Sequence, residues 1–331
     1  MNKYSFVVPV YNRPQEVREL LESMVVLDFT EPFEVVIVED GSTETSANVV
    51  SQFSDKLNIS YYYKKNSGPG DSRNYGMARA KGNYFVILDS DCILPSNYLS
   101  SVDKFLSARF FHCFGGPDAA HTSFSPLQKA INYVMTSLLT TGGIRGNKKG
   151  IQKFEPRSFN MGISKEAFEA TGGFGKIHPG EDPDLSQRIL LAGYQTVFIP
   201  DSFVYHKRRI SWNKFYLQVK KFGMVRPILN QWHPSSSKIT FWFPSLFIFF
   251  VLLSLILGIY NWVFLIPLGV YILAIFVDSS INNRSLYIGF LSIPAVFIQF
   301  FGYGLAFIKS FFFVSVLNKD PQKQFPFLFF K

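Results

Sequence analysis

Two aspartates one residue apart, Asp89-Ser90-Asp91, close the apolar run from Tyr84 to Leu88, which reads as a buried strand. Carboxylates at such an edge can hold a hard divalent cation, Mg²⁺ or Mn²⁺, and through it the phosphates of a substrate. A turn built on paired aspartates accounts for the same string. The spacing recurs at Asp182-Pro183-Asp184, where Asp182 reads as an N-cap and Pro183 as the first helical residue. Position at a strand end, where open parallel sheets collect ligands, therefore carries the argument. Asp40 closes another apolar run in Glu39-Asp40-Gly41-Ser42. It can accept hydrogen bonds from a base or ribose, and it can equally cap the next helix.

No G-x-G-x-x-G follows a strand and no G-x-x-x-x-G-K-[ST] occurs, so dinucleotide oxidoreductases and P-loop enzymes lose their main support. A bound diphosphate would need a metal and basic side chains to neutralise it. Arg73 and the basic stretch after His206 supply candidates. His206 itself follows a strand-like run and reads either as a ligand or as a surface or packing histidine.

The elements that must position these residues alternate. Ser5 to Val10, Phe33 to Val38, Ile59 to Tyr63 and Tyr84 to Leu88 read as strands, with helices opening at Pro14, beyond Ser42 and at Ser72. That order predicts an α/β domain built on a mostly parallel sheet. Further helices are expected from Ser96 to Ala108, with Ser96 as N-cap, from Leu127 to Leu139, and from Asp182 to Gly193. Phe110 to Phe114, Thr196 to Ile199 and Phe203 to Tyr205 read as short strands, and Trp212 to Leu229 as a basic helix. The Gly- and Lys-rich stretch 140–150 reads as a mobile loop suited to closing over a ligand.

Hydrophobic residues make up 47% of the 331, and they are unevenly spread. No charged residue falls between Ile239 and Val277, and none between Ser285 and Ile308. This is bilayer composition, and it predicts spans near 239–258, 261–277 and 286–308 after a catalytic domain over 1–230, with 231–331 forming the membrane region. Three spans would carry the end of the chain away from the catalytic side, whereas Lys309, Lys319, Lys323 and Lys331 favour the cytosolic side. A re-entrant or interfacial third segment is the alternative. The net charge of +9 is concentrated too, because no Asp or Glu lies between Asp201 and Asp278. Such a stretch attracts anionic headgroups and diphosphates, and no recognition module for nucleic acid accompanies it. Two cysteines, Cys92 and Cys113, exclude a disulfide framework, and the run from Phe6 to Val10 is too short for a signal peptide. The catalytic domain is therefore expected on the cytoplasmic face of the cell membrane.

Taken in order, the motifs SFVVPVYN (Ser5 to Asn12), VEDGS (Val38 to Ser42), GPGDSRNYG (Gly68 to Gly76), NYFVILDSD (Asn83 to Asp91), NMG (Asn160 to Gly162), GGF (Gly172 to Phe174) and GEDPDL (Gly180 to Leu185), with His206 beyond them, resemble the family 2 glycosyltransferases of GT-A fold. The resemblance runs from about residue 4 to 226. It implies inverting transfer from a nucleotide-diphosphate sugar, commonly a UDP-sugar, with a divalent metal. Under it Pro9, Tyr11 and Asp40 line the base and ribose site, Arg73 lies near base or phosphate, and Asp89 contacts the donor. Asp91 becomes the principal metal ligand, with His206 completing the metal or diphosphate site. Asp182 occupies the place of the general base, and Asn160 and Gly162 shape the donor-sugar or acceptor pocket. The acceptor is expected to be a glycan or polyprenyl-linked sugar at the bilayer.

Processive members carry Gln-x-x-Arg-Trp after the base, where this chain has Gln218-Val-Lys-Lys-Phe222. Lys lacks Arg's planar fork and Phe is a poorer sugar platform than Trp. With no span before the first strand either, a single or limited transfer is expected ahead of a processive synthase. A catalytically silent nucleotide-sugar-binding scaffold is the reading from another class, and retention of Asp40, Asp89, Asp91 and Asp182 argues against it.

Overall fold

The computed structural model describes residues 2–119, 124–141, 154–206 and 211–330. Most of the expected 140–150 loop, and Lys207, Arg208 and Arg209 of the basic stretch, lie outside the described residues. The chain divides into two compact units, one of residues 1–121, 148–206 and 329–331, the other of 122–147 and 207–328.

The first unit is built on β1 (Tyr4–Val10), β2 (Glu34–Asp40), β3 (Asn58–Lys64) and β4 (Tyr84–Leu88), all parallel in the order β3-β2-β1-β4. β1, β2 and β4 are buried almost throughout, which is why each reads as a continuous apolar run without alternation. Helices α1 (Pro14–Val25), α2 (Ala47–Ser51) and α3 (Pro69–Met77) follow the first three strands. Beyond β4 come the two-residue β5 (Cys92–Ile93), α4 (Tyr98–Ala108), β6 (Cys113–Gly115) and β7 (Asp118–Ala119). Ser96 does not cap α4, whose N-cap position is Asn97.

The sheet continues past β4 through an antiparallel strand absent from the sequence reading. After α5 (Pro126–Thr136) and α6 (Leu138–Thr141) of the other unit, β8 (Asn160–Ser164) runs antiparallel to both β4 and β6. α7 (Lys165–Thr171) and α8 (Glu181–Leu191) precede β9 (Thr196–Phe198), which pairs parallel with β6 and completes seven strands. β10 (Val204–His206) joins β5 and β7 in a separate three-stranded sheet. Gly162, in the middle of β8, has a packing reason for its identity, since a Cβ there would lie 1.9 Å from the Phe114 ring.

The second unit contains α9 (Trp212–Trp232), α10 (Phe243–Tyr260), α11 (Ile266–Asn283) and α12 (Leu286–Phe311). Three helical stretches, Ile239–Tyr260, Trp262–Asn283 and Leu286–Val316, are long and apolar enough to cross a membrane. Its core joins α5, α9, α11 and α12 through Ile131, Val134, Phe215, Ile275, Val296 and Phe300.

Candidate active site

The carboxyl ends of β1, β2 and β4 place Arg13, Asp40, Asp89 and Asp91 along one edge of the sheet. His206 arrives there by strand pairing, because β10 aligns it opposite Cys92, the neighbour of Asp91, in the antiparallel β5–β10 ladder. Its Nε2 lies 3.1 Å from Asp91 Oδ1 and 3.7 Å from Asp89 Oδ2, and Phe159 stacks on the imidazole at 4.8 Å. Asp91 Oδ2 is bound by the Arg13 guanidinium. Burial alone would raise the Asp91 carboxyl, but His206 and Arg13 outweigh it and hold the group well below the ordinary carboxylate range.

Asp91, Cys92 and His206 present ligand atoms within 4.8 Å of one another. Cys92 is a poor member of that set. Its thiol is fully buried and pushed well above its usual pKa, and it points at the Phe159 carbonyl at 3.4 Å. The other two fit a divalent cation better, because Asp91 Oδ1 is buried, accepts no well-aligned hydrogen bond and faces a ring nitrogen. A carboxylate, an imidazole and substrate phosphates form a reasonable mixed donor set for such an ion.

Arg73 connects this cluster to α8. Its side chain is only 4% exposed, yet one nitrogen donates to Asp89 Oδ1 at 2.7 Å and another to Glu181 Oε1 at 3.1 Å, with the Phe174 ring 5.2 Å away. Glu181 Oε1 also meets His178 Nδ1 at 3.0 Å. Burial works against the Glu181 charge, but His178 and Arg73 pull its pKa below the usual range. Arg73→Met should strand Asp89 and Glu181 and lower unfolding free energy by about 3–5 kcal/mol in denaturant titrations, the scale for breaking a buried ionic network. A loss under about 1 kcal/mol would remove Arg73 from that structural role.

Asp182 follows Glu181 in the first turn of α8. The helix cap lies two residues earlier than the sequence suggests, with Gly180 as N-cap at φ 118°, so Asp182 is not the cap. Only glycine adopts that backbone angle readily. The Asp182 side chain is 17% exposed and its Oδ2 lies 3.7 Å from Arg157. Burial pushes the Asp182 carboxyl up, the Arg157 charge opposes this, and neighbouring Glu181 reinforces it; the net shift is upward.

Asp40 does not cap the next helix either; Ser46 occupies that position before α2. Its carboxylate accepts from Lys64 Nζ at 2.7 Å and from the backbone N–H groups of Ser67 at 3.0 Å and Gly68 at 2.9 Å, tying down the entrance to α3. Pro9 sits half-buried near the end of β1, and Tyr11, just past it, is 53% exposed. Asn160 and Gly162 lie inside the sheet. The Asn160 amide is occupied by protein, accepting from Tyr98 Oη at 2.6 Å and donating to the Ser202 carbonyl at 2.6 Å.

The family profile described as Glycosyl transferase family 2 matches residues 5–172. The chain belongs to that family. Among curated proteins the chain is similar to an "Uncharacterized glycosyltransferase" of Rickettsia bellii, 34% identical over 44% of this chain and 20% of that protein. Poly(ribitol-phosphate) beta-N-acetylglucosaminyltransferase TarS of Staphylococcus aureus is 35% identical over 32% of this chain and 19% of its own length. The minor teichoic acid biosynthesis protein GgaA of Bacillus subtilis is 25% identical over 67% and 45%. The chain thus spans about a fifth of the length of the first two relatives.

Among solved structures, the mannosyltransferase PcManGT of Pyrobaculum calidifontis, in complex with GDP-Man and Mn²⁺, has a TM-score of 0.56 at 14% identity and covers 92% of this chain and 87% of its own. S. aureus TarS 1-349 in complex with UDP-GlcNAc has a TM-score of 0.51 at 19% identity, covering 93% and 91%. At these identities the likeness supports the GT-A fold.

Arg13, Arg157, His178 and Glu181 escaped the sequence reading. Glu181 and His178 lie within or next to the GEDPDL string, and Arg13 follows β1 at the ligand edge, so position could have flagged these three. Arg157 has no such signal, because only the fold brings it to Asp182.

Proposed function

We propose that the chain is an inverting, divalent-metal-dependent glycosyltransferase. It would move a sugar from a nucleotide-diphosphate sugar to a hydroxyl of a membrane-associated glycan or lipid-linked acceptor, with its catalytic domain on the cytoplasmic face. The observation that carries this reading is the unbroken polar chain from Asp91 and His206 through Asp89 and Arg73 to Glu181, the residue preceding Asp182. Such a chain suits an enzyme that must stabilise a leaving diphosphate and remove a proton within one site.

In this reading Asp182 accepts the acceptor hydroxyl proton as its oxygen attacks the anomeric carbon. The bond from that carbon to the phosphate oxygen breaks in the same displacement, and no covalent enzyme intermediate forms. Arg73 and Arg13 supply fixed positive charge toward the diphosphate, while Asp40, Pro9 and Tyr11 form the base and ribose end. A divalent cation held by Asp91 and His206 would supply Lewis acidity for the departing diphosphate. Relatives named for poly(ribitol-phosphate) and teichoic acid support a cell-surface polymer or its lipid-linked precursor as acceptor.

The full chain in detergent or bilayer, given UDP- and GDP-sugars with Mg²⁺ or Mn²⁺, should release nucleoside diphosphate only when membrane extract is present. Transfer of label into a lipid-extractable or polymeric product identifies the acceptor, and its length distribution separates single transfer from processive synthesis. No release with any donor in either metal would defeat the proposal.

A further inference from the structure

We infer that α12 does not cross the bilayer: it lies along the membrane surface across the mouth of the α10–α11 hairpin, so residues 311–330 stay on the catalytic side. Three separate observations converge on this.

The first is where α12 touches the hairpin. α10 and α11 are joined through the short helical turn Trp262–Leu265, with a Cβ on Gly258 falling 2.7 Å from Leu265 and the Phe247 ring 5.4 Å from Tyr271. Read as two consecutive spans, they bring the start of α10 and the end of α11 to one face of the bilayer, the open end. The first half of α12 packs on the end of α11, with Ser292 Oγ 2.7 Å from Ser279 Oγ and the Phe290 ring tilted against Phe276 at 4.6 Å. Its second half packs on the start of α10, where Ser245 Oγ donates to the Gly304 carbonyl at 3.1 Å and Phe307 and Phe311 each lie 4.8 Å from Trp242. A third span would have to run from that open end toward the turn. Instead both halves of α12 meet the open end.

The second is what covers α12 on another side. A Cβ on Gly302 would come within 2.8 Å of Val219, one on Gly223 within 2.2 Å of the Tyr303 carbonyl, and Ser310 Oγ donates to the Met224 carbonyl at 2.6 Å. α9 thus follows α12 from Gly302 to Ser310, carrying Lys214, Lys220, Lys221 and Arg226 with it. Those four cations occupy about 18 Å of helix at 1.5 Å per residue. Each would cost at least about 2.5 kcal/mol at the centre of a bilayer, whereas anionic headgroups attract all four. The end of α11 belongs to the same polar level, since Asp278 there accepts from Tyr133 Oη of α5 at 2.6 Å.

The third is the fate of the chain after α12. Residues 329–331 belong to the compact unit that holds the candidate site. Phe329 forms an antiparallel bridge with Ile177, the Phe330 N–H donates to the Lys176 carbonyl at 3.0 Å, and the Phe330 ring lies 5.7 Å from His178. A segment that leaves this unit at residue 206 and rejoins it at 329 must cross the bilayer an even number of times. α10 and α11 account for two crossings, which leaves none for α12.

The test uses the full chain in its native membrane, with Cys92 and Cys113 both buried and silent. Asp55→Cys, Asn282→Cys and Lys319→Cys are each exposed to a membrane-impermeant maleimide in right-side-out and inverted vesicles. All three should react from the same face. Reaction of the residue 319 variant from the face opposite the residue 282 variant would mean that α12 crosses, and reaction of both from the face opposite the residue 55 variant would mean an odd number of crossings; either result overturns the inference. Gln322→Cys repeats the decisive position should Lys319→Cys fail to accumulate.

Discussion

Asp182→Asn should reduce sugar transfer by about 10²–10⁴-fold, the range that general base catalysis contributes, while nucleotide-sugar affinity stays within a few fold of the parent. The amide is isosteric and cannot accept the hydroxyl proton. The same substitution should not destabilise the fold. Burial holds the Asp182 carboxyl above its ordinary pKa despite Arg157, so the folded chain binds this proton more tightly than the unfolded chain does. The sign follows from linkage: stability declines as pH rises from the unfolded pKa through the raised folded one, and at neutral pH the ionised group is a net cost. The Asn variant should therefore melt at or above the parent temperature at pH 7, and the acid limb of the parent's pH–rate profile should lie above an ordinary aspartate's. Wild-type transfer in the variant would remove Asp182 from its role; lost transfer with a lowered melting temperature would point to structural damage.

Asp91→Asn should act on a different step. The substitution keeps the side-chain shape but removes the charge that Arg13 and His206 now share. Manganese binding in the presence of a nucleoside diphosphate, followed by calorimetry or by electron paramagnetic resonance, should weaken by at least about tenfold. Transfer should fall by on the order of 10²–10³, as when one preorganised electrostatic contact to a developing charge is lost. The two variants should therefore separate, with Asp182→Asn sparing ion and donor binding and Asp91→Asn impairing both. Unchanged manganese binding in Asp91→Asn would displace the proposed metal site from this edge of the sheet.

Arg13 gives that second variant an additional meaning. In the structure its guanidinium occupies Asp91 Oδ2, on the carboxylate proposed to hold a cation. Asp91 and His206 would hold a divalent ion on a carboxylate that Arg13 also binds, so the Arg13 guanidinium stands beside that site with a geometry suited to phosphate oxygens.

How much of this was legible in the amino-acid order follows from the range of the interactions involved. β1, β2 and β4 were readable because strands buried on both faces carry near-continuous apolar runs, and β4 agrees with its expected bounds residue for residue. The three apolar helices were readable for the same local reason, since membrane-compatible composition is a property of about 20 consecutive residues. The family motifs are short strings with fixed order, and they single out Asp40, Asp89, Asp91 and Asp182 as candidates without reference to the fold.

Tertiary structure decided what depends on pairs far apart in the chain. β8 carries polar Asn160 and two-sided neighbours, so nothing local marks it as the strand that turns a parallel sheet into a mixed one. β5 and β10 are two and three residues long, too short for a periodic signal, yet their register is what delivers His206 to Asp91. The contact of Arg13 with Asp91 spans 78 positions and that of Arg73 with Glu181 spans 108, separations at which residue type says nothing about proximity. The fate of α12 is of the same kind. Composition makes it long and apolar enough to span, and only its packing on α9 and on the open end of the α10–α11 hairpin argues that it lies flat, because the cost of a buried cation depends on which helix it accompanies.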